Sequence, residues 1–234
     1  MQTRSVGDRR VGGSQRGSQS HYPDGNLVCV ENTANRGGGT CYEQHVLDAI
    51  AEVSKEKNCS THIDGARIFN ASVSTKTSLP RMTRDYDSVS ICLSKGLGAP
   101  VGSVLVGSAE FIEHAHRWRK MFGGGMRQSG ILAAAGIYAL ENNVERMEED
   151  HRRALTIAQA IDEMDHVSVD LDAVQTNMVY FSANNHSANE VSERMAKAGI
   201  DMFDISPTHC RIVTHLHITD EDVKNVIEAL TSLN

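Results

Sequence analysis

The sequence predicts an α/β fold with a mainly parallel sheet, and three observations lead to that prediction. Short apolar, β-branched runs that are typical of strands alternate with segments of helical periodicity. Two of the runs are almost continuously apolar, which suits strands in a sheet that is covered on both faces. The 234 residues are also enough to bury a sizeable core. Strands that alternate with helices in this way favour parallel pairing.

The first half of the chain contains four predicted strands and one clear helix. LVCVE, at residues 27–31, predicts the first strand, and a glycine-rich turn at 36–39 follows it. Residues 41–57 carry apolar side chains at helical spacing and end in a basic turn, as expected of a helix. Three further runs predict strands: THID from residue 61, SVSICLS at 88–94 and SVLVG at 103–107.

The second half of the chain begins with helices and then alternates. AEFIEHAHRWRKM, from residue 109, predicts one helix, and residues 128–164 predict a long helical segment that no proline interrupts. Thr219 and Asp222 form a capping-box-like pair at the start of a final helix. The remaining predicted elements are the strands HVSVDL, NMVYFSA and CRIVTH and the helices at 189–198 and 220–233.

These elements predict two domains after an N-terminal tail. Residues 1–25 hold five Gly, four Arg and four Ser against four apolar side chains, a composition that predicts disorder. An Arg/Ser-rich mitochondrial transit peptide and an RNA-touching Arg-Gly segment are the alternatives for this tail. Residues 26–149 are predicted to form part of a large domain, and residues 150–234 a smaller C-terminal α/β domain.

Charge and composition exclude several classes of protein. Subtracting 30 acidic from 23 basic side chains gives a net charge of −7, which argues against nucleic-acid binding. The longest near-apolar run, at residues 130–140, is about half of the roughly 18 residues that a membrane helix needs, so we expect no membrane span. Five cysteines without a CxxC pair indicate reduced thiols in a cytoplasmic protein, with a mitochondrial location as the alternative.

The histidine spacing predicts no metal site. His114 and His116 lie two residues apart on a predicted helix, whereas a pair of ligands on one helical face needs a spacing of three or four. His215 and His217 are expected to share one strand face, but no cysteine or carboxylate motif joins them.

A lysine at the exit of a predicted buried strand is the most informative single residue. In ICLSKGLGAPVGSVLVG, Ser94 precedes Lys95, and Gly96 and Gly98 follow it. The spacing does not fit a phosphate-binding P-loop. An amine beside apolar strand residues is partly desolvated, which suits Schiff-base chemistry. A surface lysine in a glycine loop is an equally good interpretation.

A carboxylate and a guanidinium follow another predicted strand. In THIDGARIF, Asp64 ends the strand and Arg67 comes three residues later. Ligands of open α/β sheets bind at such strand ends, although Asp64 could instead cap the next helix. Together with Lys95 these residues supply an amine, an anion for a protonated ring nitrogen and a planar cation. Those are the protein groups that pyridoxal phosphate (PLP) needs.

Four runs of this sequence resemble the threonine aldolase family, the low-specificity L-threonine and L-allo-threonine aldolases of PLP fold type I. They are ENTANRGGG, HIDGARIFNA, SVSICLSKGLGAPVGSVLVGS and RWRKMFGGGMRQSGILAAAGIYAL, and the resemblance extends over about residues 27–234. It implies a fold type I large-domain sheet with a smaller C-terminal domain. It also implies cleavage of a β-hydroxy-α-amino acid such as threonine to glycine and acetaldehyde.

The resemblance also implies roles for particular residues. Lys95 would form the Schiff base with the cofactor, and Asp64 would pair with the pyridinium nitrogen. Arg67 would lie near the ring hydroxyl and the substrate carboxylate, and Arg211 would clamp that carboxylate from the small domain.

Two further cations match residues that the family places near the cofactor, partly from a neighbouring subunit. They are Lys120 and Arg127, which flank a GGG run at residues 123–125. The alternative for both is a solvated helix face. Shared sites of this kind imply a homo-oligomer, either a dimer or a tetramer.

Two departures from the family pattern affect the expected catalysis. The family carries an N-terminal portion, with a phosphate-cradling loop and a ring-stacking histidine, that has no match here. Ala34 also stands where the family's ENTHN run has histidine. The chain is therefore expected to be an N-terminally truncated fragment, with little or no activity, of an aldolase whose catalytic base we cannot name. The alternatives are a different PLP-dependent lyase and a catalytically dead structural subunit.

Overall fold

The computed structural model describes residues 25–233, which form two compact units. The first unit holds the described residues up to Thr33 together with Tyr42–Glu141, and the second holds Ala34–Cys41 and the chain from Asn142. The predicted disordered tail, except for its last residue, lies outside the described residues. The sequence analysis placed the division at 149/150, whereas the contacts divide at 141/142 and assign the loop Ala34–Cys41 to the second unit.

The first unit is built on a four-stranded sheet in the spatial order β1-β2-β3-β4. Its strands are β1 (Leu27–Glu31), β2 (Ser60–Asp64), β3 (Ser88–Cys92) and β4 (Ser103–Gly107). All four predicted strands are confirmed. The first three are parallel, as predicted, but β4 runs antiparallel to β3. Residues 93–102 are too few to form the crossover that a parallel connection requires.

Five helices belong to this part of the chain: α1 (Gln44–Glu56), α2 (Ile68–Thr75), α3 (Leu79–Thr83), α4 (Ala109–Met121) and α5 (Gly130–Asn142). The two predicted helices at 41–57 and from 109 are confirmed as α1 and α4. The apolar stripe of α1 is the buried one, with Leu47 and Ile50 in the core. Ser108 begins α4 by accepting a hydrogen bond from the Phe111 N–H through its side chain.

The prediction of one long helix at 128–164 is wrong, because the segment forms two helices. The second of them is α6 (Met147–Asp162), and residues 143–146 separate it from α5. Asn142 and Asn143 stand at the break. Asparagine has low helix propensity because its side chain competes for backbone hydrogen bonds, so a helix can end here without proline.

The second unit contains an antiparallel sheet in the spatial order β5-β6-β8-β7. The strands are β5 (Val167–Val169), β6 (Met178–Ala183), β7 (Phe203–Asp204) and β8 (His209–Val213), and the helices besides α6 are α7 (Ala188–Lys197) and α8 (Asp220–Thr231). The sequence analysis anticipated every one of these elements except the short β7. Side chains of the three helices and of β6 and β8 form one apolar core, which includes Ile161, Phe181, Met195, Cys210 and Leu230.

Both later helices begin with a complete capping box. Thr219 and Asp222 cap α8 as predicted, and Ser187 and Glu190 do the same for α7. The hydrogen bonds to Ser187 hold the pKa of Glu190 below its usual range.

Two observations concern the surface of residues 25–233. Within residues 25–233, no helix is both long and apolar enough to cross a membrane. The expectation of a sheet covered on both faces is wrong for β4, whose five residues are all exposed. β4 is the edge strand, and Val104, Leu105 and Val106 therefore present apolar side chains at the surface.

Candidate active site

Two of the predicted site residues, Asp64 and Lys95, and one further carboxylate, Glu31, belong to one edge of the parallel sheet. Glu31 and Asp64 are the last residues of β1 and β2 and are register partners. Lys95 comes three residues after β3 ends at Cys92. Since the carboxyl ends of parallel strands share an edge, the structure brings these residues to the side of the sheet where α/β proteins bind ligands.

Asp64 forms a tight turn instead of capping a helix. Its Oδ1 accepts a hydrogen bond from the Ala66 N–H at 3.0 Å, while the N-cap of α2 is Arg67. The next residue, Gly65, donates its N–H to the Ser90 carbonyl at 2.8 Å. A Cβ at Gly65 would lie only 2.9 Å from that carbonyl oxygen, so the turn requires glycine to approach β3 this closely. The Asp64 carboxylate is thereby held at the strand end, and it is exposed.

Arg67 lies close to a carboxylate that the sequence analysis missed. Its Nη1 is 4.0 Å from Glu31 Oε1, with 16% of the Arg67 side chain and 39% of the Glu31 side chain exposed. The separation makes an ion pair but is too long for a hydrogen bond. Glu31 ends a buried strand just as Asp64 does, and that shared position is the signal that could have identified it.

The backbone around Lys95 is fixed, but its side chain is exposed. The Gly98 N–H donates to the Lys95 carbonyl at 2.8 Å, and the Ala99 N–H donates to the Leu93 carbonyl at 3.0 Å. Leu97, 1% exposed, anchors the loop in the core. The expected partial desolvation of the amine is therefore wrong in this structure, because Lys95 is exposed.

The two cations that flank the GGG run are both exposed. Lys120 is in the last turn of α4, and Gly125 packs against its stem, where a Cβ would lie 2.5 Å from Lys120 Cδ. Arg127 lies between α4 and α5. Within the described part of the chain neither forms an ion pair, so a solvated face remains open as an interpretation of both.

Arg211 belongs to the second unit, on β8. Its Cζ lies 4.7 Å above the centre of the Phe203 ring, and its Nη1 donates to Asn35 Oδ1 at 2.5 Å. The Nε atom is buried and has no hydrogen-bond partner among residues 25–233. Asn35 and Phe203 were not predicted, because both reach Arg211 through tertiary contacts.

Further polar groups lie on β1 to β3. The two ring nitrogens of His62 are 2.8 and 3.3 Å from the hydroxyls of Ser88 and Ser90. Burial, and then the negative charge of Asp64, raise the pKa of the Cys29 thiol. Cys29 is the register partner of His62 on the neighbouring strand.

His215, His217 and Ala34 all belong to the second unit. His215 and His217 follow the end of β8 in a turn, so the expectation that they share a strand face is wrong. No group of three metal-ligating side chains is found in the described residues. The carbonyl of Ala34 accepts the N–H groups of Gly37 and Gly39 at 3.2 and 3.0 Å, which makes Ala34 part of a turn.

The fold is that of PLP fold type I proteins. A solved structure titled as a Leishmania major threonine aldolase superposes with a TM-score of 0.79 at 19% identity, covering 94% of this chain and 64% of that chain. The family model described as beta-eliminating lyase matches residues 13–184, and the chain belongs to that family.

Curated relatives confirm the resemblance noted in the sequence. The chain is 45% identical over 206 residues to an Escherichia coli protein named low specificity L-threonine aldolase, covering 88% of this chain and 60% of the relative. It is 40% identical over 205 residues to low-specificity L-threonine aldolase 1 of Arabidopsis thaliana, covering 86% and 57%. The chain thus spans about 60% of the length of the first of these relatives.

Proposed function

We propose that this chain is part of a PLP-dependent carbon–carbon lyase that cleaves L-threonine or L-allo-threonine to glycine and acetaldehyde. The observation that carries the proposal is the placement of Asp64 at the end of β2 and of Lys95 three residues beyond the end of β3, at the carboxyl edge of one parallel sheet. The relatives named as threonine aldolases support the choice of substrate.

The donor set at this edge fits PLP. Asp64 Oδ1 is held by the Ala66 N–H, and in the described residues Oδ2 makes no hydrogen bond, so it can accept one from a protonated ring nitrogen. Arg67 offers a guanidinium and Lys95 an exposed amine within the same unit. When bound, PLP supplies an electron sink for the pair of electrons left on the amino-acid Cα after bond cleavage.

The chain's own residues would bind and orient the reactants. Asp64 would keep the ring nitrogen of the cofactor protonated through a hydrogen bond, since an ion pair favours the charged forms of both partners. Lys95 carries the amine that attaches the cofactor covalently and that takes up or returns a proton at its Nζ. The resemblance to the threonine aldolases assigns Arg211, in the second unit, to the amino-acid carboxylate, and a carboxylate fixed in this way would orient the Cα–Cβ bond. The methyl group of Ala34 cannot take the proton of the β-hydroxyl.

Product analysis tests this proposal. With excess PLP, we expect release of glycine and acetaldehyde from L-threonine or L-allo-threonine to depend on Lys95 and to be slow, since Ala34 supplies no acid or base. The Lys95→Ala variant is the test and Lys55→Ala, in the last turn of α1, the matched control. Release that clearly exceeds the rate without protein and is yet equal in the wild type and Lys95→Ala would refute the proposal.

A second candidate function is β-elimination, which the name of the matching family model favours. That reaction would expel the β-substituent of an amino acid together with its Cα proton, and hydrolysis of the product by water would release a keto acid and ammonia. Assaying keto acid beside acetaldehyde with the same protein separates the two functions, and we expect acetaldehyde to dominate.

A further inference from the structure

Asn35 makes a direct contact with the guanidinium that the proposed function assigns to the substrate carboxylate. We infer that Asn35 is a positioning residue, which orients Arg211 for an amino-acid carboxylate without neutralising its charge. The inference rests on the proposed function for the role of Arg211. It adds a residue that sets carboxylate selectivity.

The sheet of the second unit places Arg211 in a row of three side chains. Arg211 on β8 is the register partner of Tyr180 on β6 and of Phe203 on β7. Paired residues in an antiparallel sheet point to the same face. The Phe203 ring lies 4.7 Å from the guanidinium carbon, a cation–π contact that leaves the hydrogen-bonding edges of the group uncovered.

Asn35 joins two members of that row. Its Oδ1 accepts a hydrogen bond from Arg211 Nη1 at 2.5 Å, and its backbone carbonyl accepts one from the Tyr180 hydroxyl at 2.5 Å. The Tyr180 hydroxyl is also 3.4 Å from Oδ1. Tyr180 thus stabilises the position of Asn35, and Asn35 in turn binds Arg211.

The loop that carries Asn35 is itself fixed to the second unit. The Thr176 hydroxyl donates to the Gly39 carbonyl at 2.8 Å, and the Cys41 N–H donates to Gln175 Oε1 at 2.8 Å. Gly39 has a φ of +78°, and a Cβ there would lie 2.7 Å from the Thr176 hydroxyl, so only glycine allows this close approach. Asn35 is therefore presented from a rigid support.

The remaining hydrogen-bonding capacity of Arg211 points to an anionic ligand. Nε is buried without a partner, and a buried donor left in that state is costly unless a ligand satisfies it. Arg211 forms no ion pair in residues 25–233, because Asn35 binds it through a neutral amide. Although Nη1 is hydrogen-bonded to Asn35, a carboxylate can still bind the Nε side of the guanidinium. The positive charge of Arg211 is then available to that carboxylate, because Asn35 does not neutralise it.

Binding of glycine and of glycinamide to the PLP-loaded chain tests the inference, with the visible absorbance of the cofactor as the signal. We expect Asn35→Ala to weaken glycine binding about tenfold, roughly the contribution of one hydrogen bond to a charged group. Glycinamide, which lacks the carboxylate, should bind equally to both proteins. Asn35→Asp, nearly isosteric, should weaken glycine binding at least as much, because its carboxylate would form an ion pair with Arg211 and neutralise the guanidinium. Asn189→Ala, at an exposed position on α7, is the matched control.

A second measurement needs no cofactor. We expect phenylglyoxal to modify Arg211 several-fold faster in Asn35→Ala than in the wild type, as mapped by mass spectrometry, because Nη1 is no longer held. Equal modification rates, or equal glycine affinities of wild type and Asn35→Ala, would overturn the inference. If Arg211→Lys leaves glycine binding unchanged, the proposed function of Arg211 fails as well. If Arg211→Lys weakens it and Asn35→Ala does not, only the role of Asn35 is refuted.

Discussion

Asp64 shows how one residue is held in place for chemistry by its neighbours. The Ala66 N–H fixes the carboxylate, and Gly65 brings the turn against the Ser90 carbonyl. Neither contact needs the cofactor. The geometry of the anion is therefore a property of the folded sheet, and disturbing Gly65 should disturb both stability and the site.

We expect Gly65→Ala to destabilise the protein by about 1–3 kcal/mol, the usual cost of forcing extra atoms into a packed site. Its Cβ would lie 2.9 Å from the Ser90 carbonyl and 3.1 Å from the Ile68 Cβ. Gly130→Ala is the matched control, since its Cβ would meet nothing within 4 Å. Urea unfolding of the two variants measures the difference, and equal midpoints would contradict this explanation of Gly65.

The residues that sequence reasoning found and missed differ in how far they lie from their partners along the chain. Lys95, Asp64 and Arg67 stand in local motifs, next to glycines and strand ends. Asn35 is 176 residues from Arg211, and no periodicity or spacing marks such a pair. The contact between Asn35 and Arg211 follows only from the register of the sheet and from the position of the loop Ala34–Cys41 in the second unit.

At the scale of elements, the strands and helices were largely predictable because each carries its own apolar period or capping residues. The antiparallel direction of β4 was missed although the short connection at residues 93–102 indicates it. The order β5-β6-β8-β7 was not predictable, since it depends on partners elsewhere in the chain. The two-residue β7 is too short to have a pattern. The break between α5 and α6 was missed because asparagine disfavours a helix much less strongly than proline does, and is therefore a weaker signal for a helix end.

The ion pair between Arg81 on α3 and Asp48 on α1 predicts a pH-dependent contribution to stability. Hydrogen bonds from Arg81 and Gln44 hold the pKa of the Asp48 carboxyl well below its usual range. A lowered folded-state pKa stabilises the protein above the unfolded value of about 3.9, and this contribution is lost as the pH falls through the folded-state pKa. The side chains are 37% and 34% exposed, so we expect only about 0.5–1 kcal/mol.

Asp48→Asn should therefore be less stable than the wild type by that amount at pH 7. The difference should shrink as the pH is lowered below about 4, as measured by urea unfolding at a series of pH values. Asp85→Asn, at the exposed pair with Arg84, is the control and should change stability less. A gap between wild type and Asp48→Asn that widens on acidification would contradict the assignment.

At the scale of the whole molecule, the first unit exposes an apolar surface on α4, α5 and the segment between them. Its members include Trp118, Phe122, Met126, Ile131 and Tyr138, with Phe122 81% and Ile131 87% exposed. Exposed apolar patches of this kind usually mark contacts between proteins. This surface supports the proposal of a homo-oligomer.

We expect the purified chain to self-associate as a dimer or tetramer, measured by size exclusion with light scattering. Phe122→Glu combined with Ile131→Glu should shift it towards the monomer, because burying two added charges is unfavourable. Asn189→Glu combined with Gln159→Glu, at exposed helix positions of the second unit, adds the same two charges and serves as a control. A wild-type chain that runs as a well-behaved monomer would count against the proposal.

Reduction with borohydride in the presence of PLP records which lysine bonds to the cofactor, independently of turnover. We expect peptide mapping to find the pyridoxyl group on Lys95 and not on Lys120, and Lys95→Ala to lose the label. A label spread evenly over exposed lysines, or retained in Lys95→Ala, would contradict the role proposed for Lys95.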